Sequence, residues 1–296
     1  MKYFFSAMGL AALSCLVTGC GGSSNPVDGD GSEILITRET KESRAVYILS
    51  PTGETIQQLT DGTQFDRAPR WSPDGSRIAF FRHVKELIPN QPDLIYRHSQ
   101  VVCLMNADGS YQQIVTPGVF DDYNVPYHPT WLNNDTLAFR FGQVQGAGLV
   151  TWRVSTGERR TLTTPDSSDS LFTDEYPAVS PNGTRLAFLR TRLGGDVSFS
   201  ELYLANADGA GARSVITELS PEAPAWSPDG KRLAFVKKVG WNWRNRQIYV
   251  ANADGSNPQQ LTNNDAGDFA PVWSPDGKEI IFASARDGND EIYRMN

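Results

Sequence analysis

An all-β propeller is the fold this sequence predicts, and three observations carry that expectation. One phrase recurs five times: Pro69-Arg70-Trp71-Ser72-Pro73-Asp74-Gly75, Pro129-Thr130-Trp131-Leu132-Asn133-Asn134-Asp135, Pro177-Ala178-Val179-Ser180-Pro181-Asn182-Gly183, Pro224-Ala225-Trp226-Ser227-Pro228-Asp229-Gly230 and Pro271-Val272-Trp273-Ser274-Pro275-Asp276-Gly277. Its spacing of roughly 47 to 60 residues suits a propeller blade. Each copy divides into short strands separated by Asp-Gly-type turns, and no helix-period stretch of useful length competes. A four-stranded sheet cannot bury both faces alone, so such sheets stack around an axis.

Within a repeat, strand A carries the Pro-x-Trp element and runs into a turn where Gly supplies positive φ and Asp bonds its own backbone. Strand B reads Arg77-Ile78-Ala79-Phe80, echoed by Thr136-Leu137-Ala138-Phe139, Arg185-Leu186-Ala187-Phe188, Arg232-Leu233-Ala234-Phe235 and Glu279-Ile280-Ile281-Phe282. Strand C ends in a second Gly turn, as in Leu202 to Gly209 and Ile248 to Gly255, and strand D is Gln57-Gln58-Leu59-Thr60 or Gln259-Gln260-Leu261-Thr262. Residues 33 to 60 supply B, C and D with no A before them, and the last repeat supplies A, B and C and stops. The expectation is a six-bladed β-propeller of mostly four-stranded antiparallel blades, two of them incomplete. A five-bladed ring is the alternative.

The propeller is expected over residues 33–296. Before it, residues 1–19 read as a signal peptide: Lys2 is the positive start, Tyr3 to Val17 is apolar but too short to span a bilayer, and Thr18-Gly19 are small. Leu16-Val17-Thr18-Gly19-Cys20 resembles a bacterial lipobox, which implies cleavage before Cys20, lipidation there and a membrane anchor without a span. Gly21 follows, where Asp would be the usual inner-membrane retention signal, so the resemblance favours the outer membrane, facing the periplasm. Residues 20–32 then read as the lipidated Cys and a flexible Gly/Ser/Asn/Pro tether. Cys15 leaves with the signal and Cys20 carries lipid, so Cys103 stands alone in an apolar run and reads as a buried, inert thiol. The net charge of −7 and pI near 5.1 argue against a nucleic-acid surface.

The string Ala223-Pro224-Ala225-Trp226-Ser227-Pro228-Asp229-Gly230-Lys231-Arg232-Leu233-Ala234-Phe235, with Ile248-Tyr249 and Gln260-Leu261-Thr262 behind it, resembles the repeat of TolB-type six-bladed β-propellers. The resemblance covers about Glu33 to Asn296 and lacks the N-terminal α/β domain of TolB. It implies a monomeric envelope protein that binds a protein or peptide partner, such as the peptidoglycan-associated lipoprotein. Oligogalacturonate lyases also resemble this repeat and use histidine-rich metal sites, which makes His83, His98 and His128 candidate ligands of an alternative, metal-dependent carbohydrate-active enzyme.

Strand alternation puts the A-to-B and C-to-D turns on one side of the ring and the long B-to-C and D-to-A connections on the other, where function tends to sit. The B-to-C insertion from Arg82 to Gln100 and the D-to-A loops Pro117 to His128 and Thr164 to Tyr176 lie there. Candidate partner contacts are Trp241, Trp243, Arg244 and Arg246 in one loop, with Tyr123 and Tyr127 in another, because Trp with Arg is a hot-spot composition. Asp66, Asp174 and Asp268 each precede a strand A proline by three positions, with Glu175 and Glu222 one residue further on. These carboxylates form a candidate ring at the channel mouth that would hold a cation or steer basic partners, or else cap their own loops. No catalytic residue and no cofactor are expected: the chain has no HExxH and no Gly-x-Ser-x-Gly, and Gly146-Ala147-Gly148 reads as a turn.

Overall fold

Alternating apolar residues bounded by Gly and Asp turns build strands throughout the protein, whose structure is a computed structural model describing residues 14–21, 33–39, 43–50, 54–87, 96–116, 127–142, 146–165, 172–192, 199–220, 222–240 and 245–296. Among these residues there is no helix. The extended antiparallel ladders group the strands into units in chain order, and single bridges join the first unit to the second (Arg44 opposite Phe65) and the fourth to the fifth (Leu219 opposite Lys237). The first unit holds β1 (Ser14–Gly21), β2 (Glu33–Glu39), β3 (Arg44–Leu49) and β4 (Thr55–Gln58). The second holds β5 (Phe65–Trp71), β6 (Arg77–Leu87), β7 (Tyr96–Asn106) and β8 (Gln113–Ile114). The third holds β9 (Tyr127–Asn133), β10 (Thr136–Phe141), β11 (Gly148–Arg153) and β12 (Arg159–Thr161). The fourth holds β13 (Phe172–Val179), β14 (Arg185–Arg192), β15 (Phe199–Asn206) and β16 (Arg213–Leu219). The fifth holds β17 (Ala225–Trp226), β18 (Arg232–Lys238), β19 (Arg246–Asn252) and β20 (Gln259–Gln260). The last holds β21 (Asp268–Trp273), β22 (Ile280–Ser284) and β23 (Glu291–Met295).

The core lies between the units rather than within them. Leu35, Val46 and Ile48 of the first unit meet Ile78, Phe80 and Cys103 of the second, and Phe81 and Leu104 meet Trp131 and Phe139. Ala138 and Leu149 meet Leu186 and Phe188, Leu202 and Leu204 meet Trp226 and Phe235, and Val236 and Ile248 meet Trp273 and Phe282. Ile34, Ile36 and Leu49 pack against Ile281 and Ile292, so the first unit also adjoins the last. Phe80, Phe139, Phe188 and Phe235 are fully buried, each worth about 2–3 kcal/mol in apolar area removed from water. The first strands of neighbouring units touch one another all the way round, β1 with β5 and β21, β9 with β5 and β13, and β17 with β13 and β21. They are therefore the innermost strands.

The Pro-x-Trp element fastens these interfaces. The indole N–H of Trp131, Trp226 and Trp273 donates to the backbone oxygen of Arg70, Ala178 and Ala225 at 3.2, 3.1 and 3.1 Å, each acceptor lying on the inner strand of the preceding unit. Arg77, Arg185 and Arg232 from that preceding unit lie over the same three indole rings at 5.1, 5.4 and 4.3 Å. Buried aromatic area, a satisfied N–H and a cation over the ring thus converge on one side chain. The Trp71 indole N–H finds no acceptor among the described residues; it faces the unit whose inner strand is β1.

Two backbone devices repeat as well. The Ser hydroxyl of the Ser-Pro-Asp-Gly turn donates to the side chain two residues on (Ser227 to Asp229, 2.6 Å) and accepts the N–H five residues on (Arg232, 2.9 Å); Ser72, Ser180 and Ser274 do the same. Gly75, Gly183, Gly230 and Gly277 close these turns at φ of 68–71°, where a Cβ would be strained. At the D strands, the hydroxyls of Thr60, Thr116, Thr163 and Thr262 accept the backbone N–H of the residue 14 positions earlier. That is why the D strand text ends in Thr.

Two sequence readings change. Much of the Arg82 to Gln100 insertion is strand: β6 and β7 stay paired from Arg77 opposite Asn106 to Leu87 opposite Tyr96, and residues 88–95 lie outside the described residues. Backbone pairing satisfies donors and acceptors there even where side-chain alternation fades. The first unit also has an inner strand, because Ser14–Gly21 pairs along β2 with Cys20 opposite Ile34. This strand draws on residues read as signal peptide and lipobox, and removal of residues 1–19 would leave only Cys20 and Gly21 of its register.

Trp226→Phe, which keeps most of the ring and loses the donor, is expected to cost about 1 kcal/mol, against about 3–5 kcal/mol for Trp226→Ala. Denaturant unfolding of both variants measures the share carried by the N–H.

Candidate functional site

The inner strands all enter from the long-connector side, and four of them bulge there. Ala68, His128, Tyr176 and Ala270 adopt φ of 50–54° immediately before their prolines, and the strand registers shift at the same places. Each left-handed non-glycine residue costs on the order of 1 kcal/mol or more, so the surrounding packing enforces the bend. The bulges bring side chains from neighbouring units together. His128 of β9 and Tyr176 of β13 stack with ring centroids 3.9 Å apart and planes at 29°.

Charge surrounds this stack. Arg140 is 6 % exposed and lies 3.5 Å from the Glu175 carboxylate. Arg67 donates to Gln100 Oε1 at 2.8 Å. Burial pulls Arg70 down to about 10, so it stays cationic at neutral pH. Burial first, then the charges of Arg70, Arg67 and Arg140, push His128 down to about 3, leaving a neutral imidazole. Burial raises Glu175 and Tyr176 above their ordinary values. Glu222, also raised by burial, is held by Arg246 at 2.7 Å and by the Ala270 N–H at 2.8 Å.

The acidic ring takes a different form from the one expected. Asp66, Asp174 and Asp268 are fully buried, and each meets an arginine of its own unit. Arg82 grips Asp66 with two bonds of 2.8 Å, Arg190 grips Asp174 at 2.6 and 2.9 Å, and Arg286 meets Asp268 at 3.0 Å. Thr163 Oγ1 donates at 2.7 Å to Asp174 Oδ2, which it shares with Arg190, and Asn264 Nδ2 donates at 2.6 Å to the remaining oxygen of Asp268. The −3 position before the proline is thus an anchor for strand B rather than a free carboxylate or a cap of its own loop. Their charge is balanced inside the wall.

Of the expected partner residues, Trp241, Trp243, Arg244 and Tyr123 lie outside the described residues. Tyr127 opens β9 opposite Arg140. Arg246 opens β19, with its guanidinium over Phe269 at 4.7 Å. Cys20 sits in β1, opposite Ile34. The three histidines lie on strands. His83 is opposite Phe65 with ring centroids 6.1 Å apart, and His98 is opposite Lys85 with its side chain outside the description. His128 is occupied by Tyr176. Among the described residues no three His, Cys, Asp or Glu side chains gather as metal ligands. Cys103 is buried, free and pushed up to about 12 by that burial, in keeping with an inert thiol. Sequence reasoning missed Arg67, Arg70 and Arg140; comparing repeat copies position by position would have found them.

Two outcomes follow from this geometry. Asp174→Ala strands the partly buried Arg190 and should cost about 3 kcal/mol, with melting indifferent to added calcium in wild type; a calcium-dependent melting shift would restore the open-ring reading. The folded-state pKa of His128 lies below its ordinary 6.5, so its contribution to stability is present above pH 6.5 and lost as pH falls toward about 3. His128→Gln should flatten that limb of the stability–pH curve in urea titrations.

The fold is similar to those of several solved structures. TolB of Acinetobacter baumannii superposes with a TM-score of 0.68 at 15 % identity over 88 % of this chain, which spans only 57 % of the TolB chain. A TolB-type protein of Agrobacterium tumefaciens gives 0.63 at 16 % identity, covering 97 % of this chain and 98 % of the other. The oligogalacturonate lyase of Vibrio parahaemolyticus gives 0.58 at 15 % identity, covering 95 % and 90 %. No curated protein sequence matches the chain. Residues 177–296 match the model of the TolB beta propeller domain, and the chain as a whole has a TolB-like β-propeller fold.

Proposed function

We propose that this protein is a non-enzymatic recognition module of the bacterial envelope. It is a monomeric six-bladed propeller, lipid-anchored through Cys20 at the outer membrane, that binds a protein or peptide partner through its long-connector face. The observation that carries the reading is the contrast between the two faces. On the turn face, the A-to-B and C-to-D turns satisfy one another: Ala107, Ala207 and Ala253 donate to the backbone oxygens of Ser76, Thr184 and Lys231 at 2.8–3.0 Å, and the Asp-Gly turns close on their own side chains. These turns are short and alike from unit to unit, with Tyr111 standing exposed beside one of them. The opposite face receives the strand ends that lead into the B-to-C and D-to-A connectors, to which the sequence assigns the Trp241–Arg246 and Phe120–His128 segments. It also holds the bulged inner-strand ends around His128 and Tyr176. Loops on a rigid frame are where binding residues concentrate, and likeness to TolB supports an envelope setting.

Two measurements check this. Mass spectrometry of the processed protein should find Cys20 as a lipid-modified N-terminus, and Cys20→Ala should abolish modification and membrane retention; an intact Met1 would contradict the anchor. In affinity capture from envelope extracts, Trp241→Ala with Trp243→Ala should lose the partner retained by wild type, whereas equal recovery refutes the proposed contact.

A further inference from the structure

The boundary between the second and third units departs from its siblings at the rim of the turn face. Elsewhere the C-to-D turn of one unit presses on the D strand region of the unit before it. A Cβ on Gly109, Gly209 or Gly255 would fall 3.0, 1.9 or 2.6 Å from Leu59 O, Leu162 O or Val215 Cβ. Gln57 Nε2 donates to Asp108 O across the first of these contacts at 2.9 Å. In the third unit Thr156 stands in the glycine's place. Its turn is tied to its own unit, where the Ser155 N–H and hydroxyl donate to the Asp135 carboxylate at 2.9 and 2.6 Å. Gln113 is the second unit's counterpart of Gln57, and among the described residues no hydrogen bond holds its side chain. Beside it lies a cavity of about 370 Å³, lined by Arg77, Leu104, Asn106, Tyr111, Gln112 and Gln113.

Tyr111 sets this cavity apart from an ordinary surface hollow. The residue is 84 % exposed, and its backbone is left-handed at φ 53°. The same place in the fourth and fifth units holds Gly211 at φ 68° and Asn257 at φ 53°, residue types that accept this conformation. A tyrosine there costs stability and buries little in return, and a strained outlier beside a cavity points to a ligand. The lining decides what kind. Arg77 already lies over the Trp131 ring and donates to Asn134 O, so its charge does not call for an anion. Tyr111 and Leu104 supply apolar surface. Gln113 supplies an amide that both donates and accepts, and Asn106, whose Nδ2 is taken by Ser110 at 3.0 Å, adds a carbonyl acceptor. A wholly apolar ligand would strip water from those amides and return no hydrogen bond. A sugar ring meets both demands, with a C–H face for the phenol ring and a hydroxyl edge for the amides. The volume also falls within the range of about 300–1,000 Å³ usual for small-ligand pockets. We propose that Tyr111, Gln113 and Asn106 form a binding site for a neutral saccharide unit on the turn face, where the second and third units meet. It is a second site, on the side opposite the connectors and independent of the partner-binding reading.

Calorimetric titration of the full chain, in a detergent without sugar head groups, with cellotriose, maltotriose and triacetylchitotriose tests the proposal. Wild type should bind at least one of the three saturably. Tyr111→Gly removes the ring and relieves the left-handed strain, as Gly211 does in the fourth unit. It should weaken that binding by about tenfold or more, or about 1.4 kcal/mol, with a melting temperature equal to or above that of wild type. Gln113→Leu should weaken the same sugar by a similar factor, and Asn257→Gly at the counterpart turn should bind as wild type. Absence of saturable binding to all three sugars by wild type, or unchanged affinity in the Tyr111 and Gln113 variants, overturns the site. A lower melting temperature for Tyr111→Gly overturns it too, because the ring would then be a packing element. None of these results depends on Trp241 and Trp243, so the site can fail while the partner-capture result stands, and the reverse.

Discussion

Everything in this molecule depends on the stacking of one sheet against the next. The apolar faces of the units are buried by their neighbours, and at three interfaces the indole of Trp131, Trp226 or Trp273 ties the preceding inner strand by an N–H bond. The consequence is positional. Inner strands meet around the axis, turns that need no variation collect on one side, and the connectors collect on the other. Bulges before the prolines then reach the mouth with side chains whose geometry is set by packing rather than by a loop.

Most of the architecture was legible because it was written several times. Trp131, Trp226 and Trp273 recur in one context and perform one task, and the Thr ending of strand D predicts a hydroxyl that reaches the backbone 14 residues earlier. Less visible was anything that depends on pairing rather than pattern. The β6–β7 hairpin continues through His83-Val84-Lys85-Glu86, where alternation is weak, because its backbone bonds do not consult side chains. The inner strand of the first unit was hidden for another reason: Ser14–Gly21 carries an addressing pattern, and only its register along β2 marks it as a strand.

The site was only half legible. Acidic residues at a fixed offset from proline suggested an open ring, but the offset also places each of them beside an arginine 16 to 18 residues later, and burial then demands the pair. Reading Asp66 with Arg82, or Asp174 with Arg190, requires knowing that strand B lies alongside. Arg140 went unnoticed because a basic residue near a strand end looks ordinary until its register is compared with Phe81 and Leu189. In a repeat protein the informative residue is the one that fails to repeat.

The central physical claim is that the units stabilise one another in a closed circuit, from β2 round to β22 and back through Ile34, Ile36 and Ile281. Native-state hydrogen exchange of the full chain, read by mass spectrometry, addresses it most directly. A closed circuit requires the amides of β2 and β22 to be released with the same opening free energy as those of β10 and β14, in one cooperative event. Release of the first and last units at a much lower free energy, with β10 and β14 still protected, would show that the circuit is open and that stacking alone does not hold the frame.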